Sequence, residues 1–298
     1  MIVPPFLKSG DTIAIVSPAG KVNPDFIFKT KQFLESKGFI VVVSPNADKN
    51  YFQYSGSDEQ RIQDFQLLMN DYSVKAILCS RGGYGSIRII EKLDFSEFEK
   101  NPKWIIGFSD ITIFHACLNN IFDIASVHGP MTKAFFDEAD GESVSYLIKM
   151  MTGNKIVYPL PEHKLNQPGK CSGRLIGGNL AILTSLIGTA YDFNPKGKIL
   201  FIEDVGEYLY RIDRMMWQMK LAGKFNGLKA VILGQFSDMK DNQSPFGKNA
   251  CEIIHEHLSE YKIPLYFDFQ AGHEMPNIPL MLNTVVEIDK NQNLIFKS

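Results

Sequence analysis

Hydrophobic and polar positions in the first half of the chain follow one repeating order. A short β-branched apolar run leads into a turn of Gly, Ser or Pro, and a stretch with helical periodicity follows. This alternation is typical of a parallel sheet whose strands are connected by helices. Strands are predicted at residues 12–17, 40–44, 75–79, 104–106 and 125–127, and helices at 26–37, after a capping box at 57–60, and at 110–122 and 142–151. We therefore predict an N-terminal α/β domain over residues 1–152.

The periodic pattern lapses between residues 153 and 172, which hold a run with two prolines at 158–161 and a polar stretch at 166–170. Such clusters mark connections between elements, so we predict the domain linker here. Beyond it we predict helices near 178–187, 210–221 and 248–261, strands at 199–202, 230–233 and 265–269, and a hairpin at 284–296. Residues 173–298 are thus expected to form a smaller, mixed α/β domain.

Composition places the chain among ordinary globular proteins. Of its 298 residues 45% are hydrophobic and 21% are charged, and the net charge is -2. Without a basic excess, nucleic acid is not an expected partner, and no apolar stretch approaches the roughly 18 residues that span a bilayer. The four cysteines are scattered without a C-x-x-C pair, which favours reduced thiols over disulfides or a zinc site. Because the N-terminal residues lack the features of an export signal, we expect a soluble, cytoplasmic protein.

Two loops that follow predicted strands carry candidate chemistry, because ligands of parallel sheets bind beyond the carboxyl ends of the strands. The first is Ser80-Arg-Gly-Gly-Tyr-Gly85, here called the glycine loop. Its three glycines permit positive φ and allow backbone N–H groups to approach an anion. It matches neither a P-loop nor G-x-G-x-x-G, so a tight turn and an anion-binding nest remain equally open.

The second loop is Gly107-Phe-Ser-Asp-Ile-Thr112, a strand-to-helix turn with Ser109 at its apex. Ser109 or Asp110 could simply cap the following helix. Alternatively the loop is a nucleophile elbow, which presents the Ser109 hydroxyl above the sheet and aims the Asp110 N–H at a developing oxyanion. Ile111 stands where G-x-S-x-G has its second glycine, so this is not an ordinary α/β-hydrolase elbow.

A serine nucleophile needs a base that takes its proton and an acid that orients the base. His128 and His273 both follow predicted strands in turn-rich segments, and His273 is the better candidate because its loop can reach a cleft. Glu203 ends the predicted strand 199–202 and is the candidate acid, although it could also be a solvated strand end. His115, in a helix, and His163, in the linker, are poorer candidates. His255 and His257 lie at positions i and i+2 of a helix and so face apart, which excludes an H-E-x-x-H zinc site.

Short motifs in a characteristic order extend over nearly the whole chain. They are Ile15-Val-Ser-Pro-Ala-Gly20, the glycine loop, Gly107-Phe-Ser-Asp-Ile-Thr112, His128-Gly-Pro130, Gly177-Gly-Asn-Leu180, Glu203-Asp-Val-Gly-Glu207 with Tyr210-Arg-Ile-Asp-Arg214, and Gly272-His273. With these motifs the chain resembles the LD-carboxypeptidase family of serine peptidases, which includes murein tetrapeptide carboxypeptidases and microcin C immunity proteins.

The resemblance implies a fold and a set of residue roles. The fold would be an N-terminal parallel-sheet domain like that of class I amidotransferases, flavodoxin-like in its winding, with a C-terminal swivelling-type α/β domain. Ser109 would be the nucleophile, Glu203 the orienting acid and His273 the general base, with the oxyanion held by the N–H groups of Gly83 and Asp110. Acyl transfer of this kind requires neither a metal nor an organic cofactor.

The family's usual substrate is the L,D-peptide bond before the terminal D-Ala of cytoplasmic murein tetrapeptide, in peptidoglycan recycling. A carboxypeptidase needs a cation for the substrate's terminal carboxylate, and Arg81, Arg211 and Arg214 are candidates by position. Each could equally form a structural ion pair. The resemblance also implies a homodimer.

Three alternatives stay open. A hydrolase of the microcin-immunity type would cut an aminoacyl or peptidyl nucleotide, but the short 128–173 stretch favours the murein peptide. A catalytically silent binding protein would require a broken triad, whereas all three residues are present. A nucleophilic Cys79 is disfavoured, because it precedes Ser80-Arg81 rather than standing at an elbow.

Overall fold

Two sheets organise the chain in the computed structural model, which describes residues 1–297. The strands are Thr12–Val16 (β1), Ile40–Val43 (β2), Val74–Cys79 (β3), Trp104–Gly107 (β4), Ser126–His128 (β5), Val157–Pro159 (β6), Cys171–Asn179 (β7), Lys198–Val205 (β8), Ala230–Ser237 (β9), Leu265–Tyr266 (β10), Leu280–Leu282 (β11), Val285–Ile288 (β12) and Asn293–Phe296 (β13). The α-helices are Pro24–Ser36 (α1), Asp58–Asn70 (α2), Ser86–Ile89 (α3), Ser96–Lys100 (α4), Thr112–Asn120 (α5), Thr132–Asp137 (α6), Glu142–Met151 (α7), Leu180–Ser185 (α8), Leu209–Leu221 (α9) and Ala250–Leu258 (α10). Short 3₁₀ helices occupy Ile90–Lys92, Ser109–Ile111 and Ser259–Tyr261.

The first sheet has the strand order β11-β5-β4-β3-β1-β2 and is parallel except for β11. Strand β1 is buried on both faces: Ile13 and Ile15 pack in the cluster that includes residues of α1 and α7, whereas Ala14 and Val16 pack in the cluster with α2 and α5. A strand covered by helices on both sides needs apolar residues at every position, which is why its sequence is a continuous apolar run.

The second sheet has the order β10-β9-β8-β7-β12-β13-β6, with a parallel half and an antiparallel half. One face of its parallel half packs against α8, α9 and α10. The other face contributes Ile199, Phe201 and Ile232 to the same cluster that holds Ile13 and Ile15 of the first sheet. The two sheets therefore share a continuous core, and the predicted α/β class is confirmed.

Three strands of the structure are absent from the sequence prediction: β6, β7 and β11. Strand β7 was not predicted, because its glycines (Gly173, Gly177 and Gly178) weaken the strand pattern. Strand β11 was not predicted either, and it returns from the C-terminal half to pair with β5. Within the predicted linker, residues 157–159 pair with β13 at the edge of the second sheet. Both the linker strand and β11 are only three residues long, so their positions depend on long-range pairing rather than on local pattern.

Strand β8 is longer than predicted, which changes the setting of Glu203. The strand continues to Val205, so Glu203 lies inside the strand instead of following it. The register between β8 and β9 shifts between Ile202 and Asp204, at the same place. Glu203 is fully buried, so the alternative of a solvated strand end is wrong.

Candidate active site

Ser109 is the first residue of the 3₁₀ turn Ser109–Ile111, which connects β4 to α5. Its φ is +62°, a left-handed conformation that a serine adopts at a cost and that is typical of nucleophile elbows. Gly107 makes the turn possible, because a Cβ there would lie 2.9 Å from Ile111 Cγ1 and 3.2 Å from Cys79 Cβ. No side-chain capping hydrogen bond forms at this turn, which disfavours the reading of Ser109 as a simple helix cap.

The glycine loop lies directly against the elbow. A Cβ on Gly82 would lie 3.0 Å from Ser109 Cβ and 3.3 Å from the Asp110 nitrogen. Gly83 has a φ of +95°, which favours glycine there. Within residues 1–297, neither the Gly83 nor the Asp110 backbone N–H has a hydrogen-bond acceptor. The Asp110 N–H adjoins Ser109 in the chain and Gly83 lines the same cavity as Ser109, so both N–H groups are candidate donors to an oxyanion.

The carboxylate of Asp110 is turned away from this chemistry. Its Oδ2 accepts a hydrogen bond of 2.8 Å from the Ser86 N–H, at the start of α3. Burial raises the pKa of the Asp110 carboxyl, and the hydrogen bond from Ser86 opposes the rise. The side chain therefore ties the elbow to the end of the glycine loop and leaves the Asp110 backbone N–H available.

Glu203 and His273 form a hydrogen-bonded pair across the second half of the chain. The His273 Nδ1 lies 2.8 Å from Glu203 Oε2. In the described part of the chain, the other ring nitrogen of His273 has no hydrogen-bond partner. Gly272 allows the loop to come this close, because its φ is +147° and a Cβ there would lie 3.2 Å from Glu203 Oε2. An imidazole held at Nδ1 can take or give a proton at Nε2.

The electrostatics of the pair favour a basic histidine. Burial lowers the pKa of His273, but the hydrogen bond that the ring donates to Glu203 and the negative charges of Glu203 and Asp204 outweigh it, so the pKa lies above its usual 6.5. Asp204 is itself perturbed: burial and the neighbouring Glu203 raise its pKa to about 6. Its oxygens accept hydrogen bonds from Asn179 Nδ2 (3.0 Å) and the Ala181 N–H (2.9 Å).

Ser109 and His273 line one cavity of about 620 Å³. No direct hydrogen bond between their side chains is present within residues 1–297, and the Phe108 ring packs edge-on to the His273 ring at 4.9 Å. The lining also includes Val22, Asn23, Phe26, Arg81, Gly82, Gly83, Met131, Lys133, Asp137, Val205, Glu274, Met275 and Asn277. The cavity thus joins loops of the first half to the His273 loop, and it is in the size range of small-molecule sites.

The three candidate arginines occupy different places. Arg81 lines the cavity and donates one hydrogen bond of 2.6 Å from Nη1 to the Lys21 carbonyl oxygen. Arg211 and Arg214 are not among the lining residues: Arg211 pairs with Glu207 at 3.0 Å, and the Arg214 guanidinium lies over the Tyr210 ring at 5.2 Å.

Sequence reasoning missed Lys133, a second cation in the cavity lining. It pairs with Asp137 on the same helix and is 72% exposed. Its one sequence signal is its position shortly after the His128-Gly-Pro130 motif, in which the histidine is the candidate residue.

The alternative reactive residues are unsuited to catalysis. His128 is fully buried behind the Phe108 ring, and burial holds its pKa well below the usual value. Cys79 is also fully buried and is not part of the cavity lining. Burial raises the pKa of its thiol, so little thiolate forms.

Family models match both halves of the chain. Residues 13–129 match the family model described as the LD-carboxypeptidase N-terminal domain, and residues 172–288 match the LD-carboxypeptidase C-terminal domain. A probable murein peptide carboxypeptidase of Bacillus subtilis is 31% identical over 279 residues, which cover 92% of this chain and 88% of that protein.

Two solved structures are similar over almost the whole length. The muramoyltetrapeptide carboxypeptidase of Oxalobacter formigenes has a TM-score of 0.87 at 27% identity, covering 96% of this chain and 99% of that chain. The microcin C7 self-immunity protein in complex with aspartyl sulfamoyl adenosine has a TM-score of 0.89 at 26% identity, covering 100% of this chain and 99% of that chain. With both of its domains matched in order, the chain belongs to the LD-carboxypeptidase family of serine peptidases and is a hydrolase.

Proposed function

We propose that the protein is a serine carboxypeptidase that removes the terminal D-Ala from murein tetrapeptide by cleaving the preceding L,D-peptide bond. The observation that carries the proposal is the shared cavity: Ser109, His273 and Arg81 line it, and Glu203 is hydrogen-bonded to His273. The murein carboxypeptidases among its relatives support the same substrate class.

In the proposed mechanism, His273 Nε2 takes the proton of Ser109, and the Ser109 oxygen attacks the peptide carbonyl carbon. Glu203 holds the imidazole at Nδ1 and stabilises its positive charge. The oxyanion receives hydrogen bonds from the N–H groups of Gly83 and Asp110, each typically worth about 3 kcal/mol in such sites. His273 then protonates the departing D-Ala amine. In the second step His273 takes a proton from water, which attacks the acyl-enzyme and releases the shortened peptide from Ser109.

We assign the terminal carboxylate of the substrate to Arg81. Its guanidinium keeps further donors beyond the one used on Lys21, and a planar fork of donors matches a carboxylate. Lys133 supplies a second positive charge for a peptide that carries several carboxylates. Because Arg211 and Arg214 lie outside the lining, we give them no contact with this part of the substrate.

The second candidate function is hydrolysis of an aminoacyl nucleotide. It is favoured by the similarity to the microcin C7 self-immunity protein, whose structure holds aspartyl sulfamoyl adenosine. An adenine needs a flat partner, and Phe26 and Phe108 are the phenylalanines in the lining. Phe108 packs against His273 and Phe26 packs against Phe136 at 4.8 Å, so both rings already have an aromatic neighbour.

One experiment separates the two candidates. The purified protein and its Ser109→Ala variant are incubated with L-Ala-γ-D-Glu-diaminopimelate-D-Ala and, separately, with aspartyl sulfamoyl adenosine, and products are measured by mass spectrometry. Release of D-Ala by the wild type alone supports the carboxypeptidase. Release of aspartate alone would transfer the proposal to the nucleotide substrate, and equal release by both proteins would remove Ser109 as the nucleophile.

We further propose a cytoplasmic homodimer with domains near 1–152 and 173–298. The four cysteines are free, as a reducing compartment would keep them. No helix within residues 1–297 is long and apolar enough to cross a membrane.

The support for the dimer is helix α9, on which Trp217 is 47% exposed and Leu221 is 82% exposed; these side chains offer an apolar surface to a second copy. Light scattering of the wild type and of a Leu221→Lys variant would test the dimer.

A further inference from the structure

Arg61 is a buried arginine behind the wall of the active site. It lies on α2, and its side chain is 0% exposed. Nη1 donates hydrogen bonds to two backbone carbonyl oxygens, those of Pro18 at 2.5 Å and Gly85 at 2.9 Å. Nη2 donates to the Asp58 carboxylate. Both terminal nitrogens of the guanidinium are therefore hydrogen-bonded, to backbone carbonyl groups and to the Asp58 counter-ion, and Arg61 is not among the residues that line the cavity.

The two carbonyl groups belong to the two loops that form the oxyanion side of the site. Gly85 closes the glycine loop, and Pro18 lies in the loop after β1. The loops are also joined at their centres, where the Gly20 N–H donates to the Gly82 carbonyl oxygen at 2.9 Å. Gly83, which carries the proposed oxyanion donor, is the next residue. Arg61 thus crosslinks the loops on one side of Gly83, and the Gly20–Gly82 hydrogen bond joins them on the other.

Burying a guanidinium is expensive, and an apolar side chain of similar volume would serve packing at least as well. Part of the cost is offset by Asp58 and by the Tyr54 ring, whose centroid lies 5.0 Å from the guanidinium carbon. An apolar residue could not supply a nitrogen that donates to carbonyl groups on two separate loops while a second nitrogen binds the counter-ion, as Nη1 and Nη2 do here. A buried guanidinium is explained if the two loops must be held at a fixed position relative to each other.

We propose that Arg61 is a positioning residue for the oxyanion hole: by fixing the Pro18 and Gly85 carbonyl groups, it holds the Gly83 N–H beside Ser109. The inference rests on the proposed role of Ser109 as nucleophile, but not on the identity of the substrate. Any reaction that places negative oxygen beside Ser109 should depend on Arg61.

A fluorophosphonate probe tests this without a peptide substrate. The Ser109 oxygen attacks phosphorus, the serine proton passes to His273, fluoride leaves, and the phosphoryl oxygen occupies the position of the oxyanion. The maximal labelling rate and the probe's half-saturation concentration are measured for the wild type, Arg61→Lys and Arg88→Lys. Labelling is carried out well below the melting temperature of each variant.

We expect Arg61→Lys to lower the maximal rate about tenfold to hundredfold, because one ammonium cannot replace both Nη1 at the two carbonyl groups and Nη2 at Asp58, with the half-saturation concentration changed less than about threefold. Arg88→Lys is the matched control. Arg88 shares the Asp58 carboxylate and the Tyr54 ring, but it is 46% exposed and its side chain does not contact either carbonyl group. Its labelling rate should stay within about twofold of the wild type.

A second variant covers the case in which Arg61→Lys does not fold. Asp58→Asn keeps the guanidinium but removes the charge that holds it, so we expect a smaller decrease in the same maximal rate. A wild-type rate in a folded Arg61→Lys, or in Asp58→Asn where Arg61→Lys does not fold, would overturn the inference, as would a change confined to the half-saturation concentration.

The result also separates the inference from the proposed function. Slow labelling of Arg61→Lys supports the inference even if no D-Ala is released from murein tetrapeptide. A wild type that the probe does not label at Ser109 would overturn both.

Discussion

The two sides of the active site are built in different ways. On the nucleophile side, the elbow at Ser109 and the glycine loop come from the first sheet, and what matters is backbone: a φ of +62° at Ser109, a φ of +95° at Gly83 and two unpaired N–H groups. On the acid–base side, Glu203 and His273 are 70 residues apart and meet through one side-chain hydrogen bond.

The difference determines which changes of pH and of sequence each side of the site can tolerate. A site made of backbone N–H groups is insensitive to pH but is damaged by any added atom that shifts the chain. A site made of a carboxylate and an imidazole depends on charge, so it should respond to pH and to isosteric neutralisation of the carboxylate. Each of the following predictions tests one side against the other.

The largest expected effect is from Ser109→Ala. Without the hydroxyl no acyl-enzyme forms, so kcat for D-Ala release should decrease by about 10⁴-fold or more. Cys79→Ala is the control, since Cys79 is buried one strand away: we expect reduced stability and nearly unchanged kcat. Comparable losses of kcat in the two variants would contradict the assignment of the nucleophile.

Glu203→Gln should lower kcat/KM about 10³- to 10⁴-fold and change its pH dependence. In the wild type, Glu203 raises the pKa of His273 above 6.5, so activity should increase as pH rises through that raised value and the base becomes neutral. In Glu203→Gln the buried imidazole loses this support, and the rise should move to lower pH. The same rise at the same pH in both proteins would show that His273 is not the base.

Gly82→Ala tests the backbone side by adding one methyl group. The new Cβ would lie 3.0 Å from Ser109 Cβ and 3.3 Å from the Asp110 nitrogen, so we expect kcat to decrease about 10²-fold at every pH. Gly188→Ala gives the contrast: nothing lies within 4 Å of its missing Cβ, but its φ is +83°. That variant should lose about 1 kcal/mol of stability, measured by urea unfolding, and keep its activity.

The smallest expected effects concern the two cations. Arg81→Met should raise KM about tenfold or more with little change in kcat, because it removes a charged hydrogen-bond donor to the substrate. Lys133→Met should raise KM only about threefold, since Lys133 is 72% exposed and screened by solvent. A larger effect from Lys133 would reassign the carboxylate to α6.

Much of the fold was readable from local pattern. The predicted strands of the first sheet match β1 to β5 within a few residues, and the predicted capping box at Ser57 and Gln60 is confirmed in both of its hydrogen bonds. The terminal hairpin matches β12 and β13. These elements depend on residues close together in sequence, so periodicity and capping chemistry are sufficient to find them.

The site was predictable in its residue types but not in its surroundings. Ser109, Glu203 and His273 came from motifs and from a family resemblance that is confirmed, while their catalytic roles stay predictions. Lys133 and Arg61 were missed, since an isolated cation on a helix carries no local sign of what it faces. Glu203 was placed at a strand end because the run 199–202 is apolar, although pairing with β7 and β9 extends the strand to Val205.

The sequence by itself determined the α/β class, the first-sheet strands, the serine elbow and the family, because each depends on short-range spacing or on motifs in order. Tertiary structure decided what shares the cavity. It pairs β11 with β5, and it buries Glu203 and brings it into hydrogen-bonding contact with His273. Arg81 and Lys133 line the cavity, whereas Arg211 and Arg214 do not. These outcomes depend on contacts between residues far apart in the chain, which no local pattern encodes.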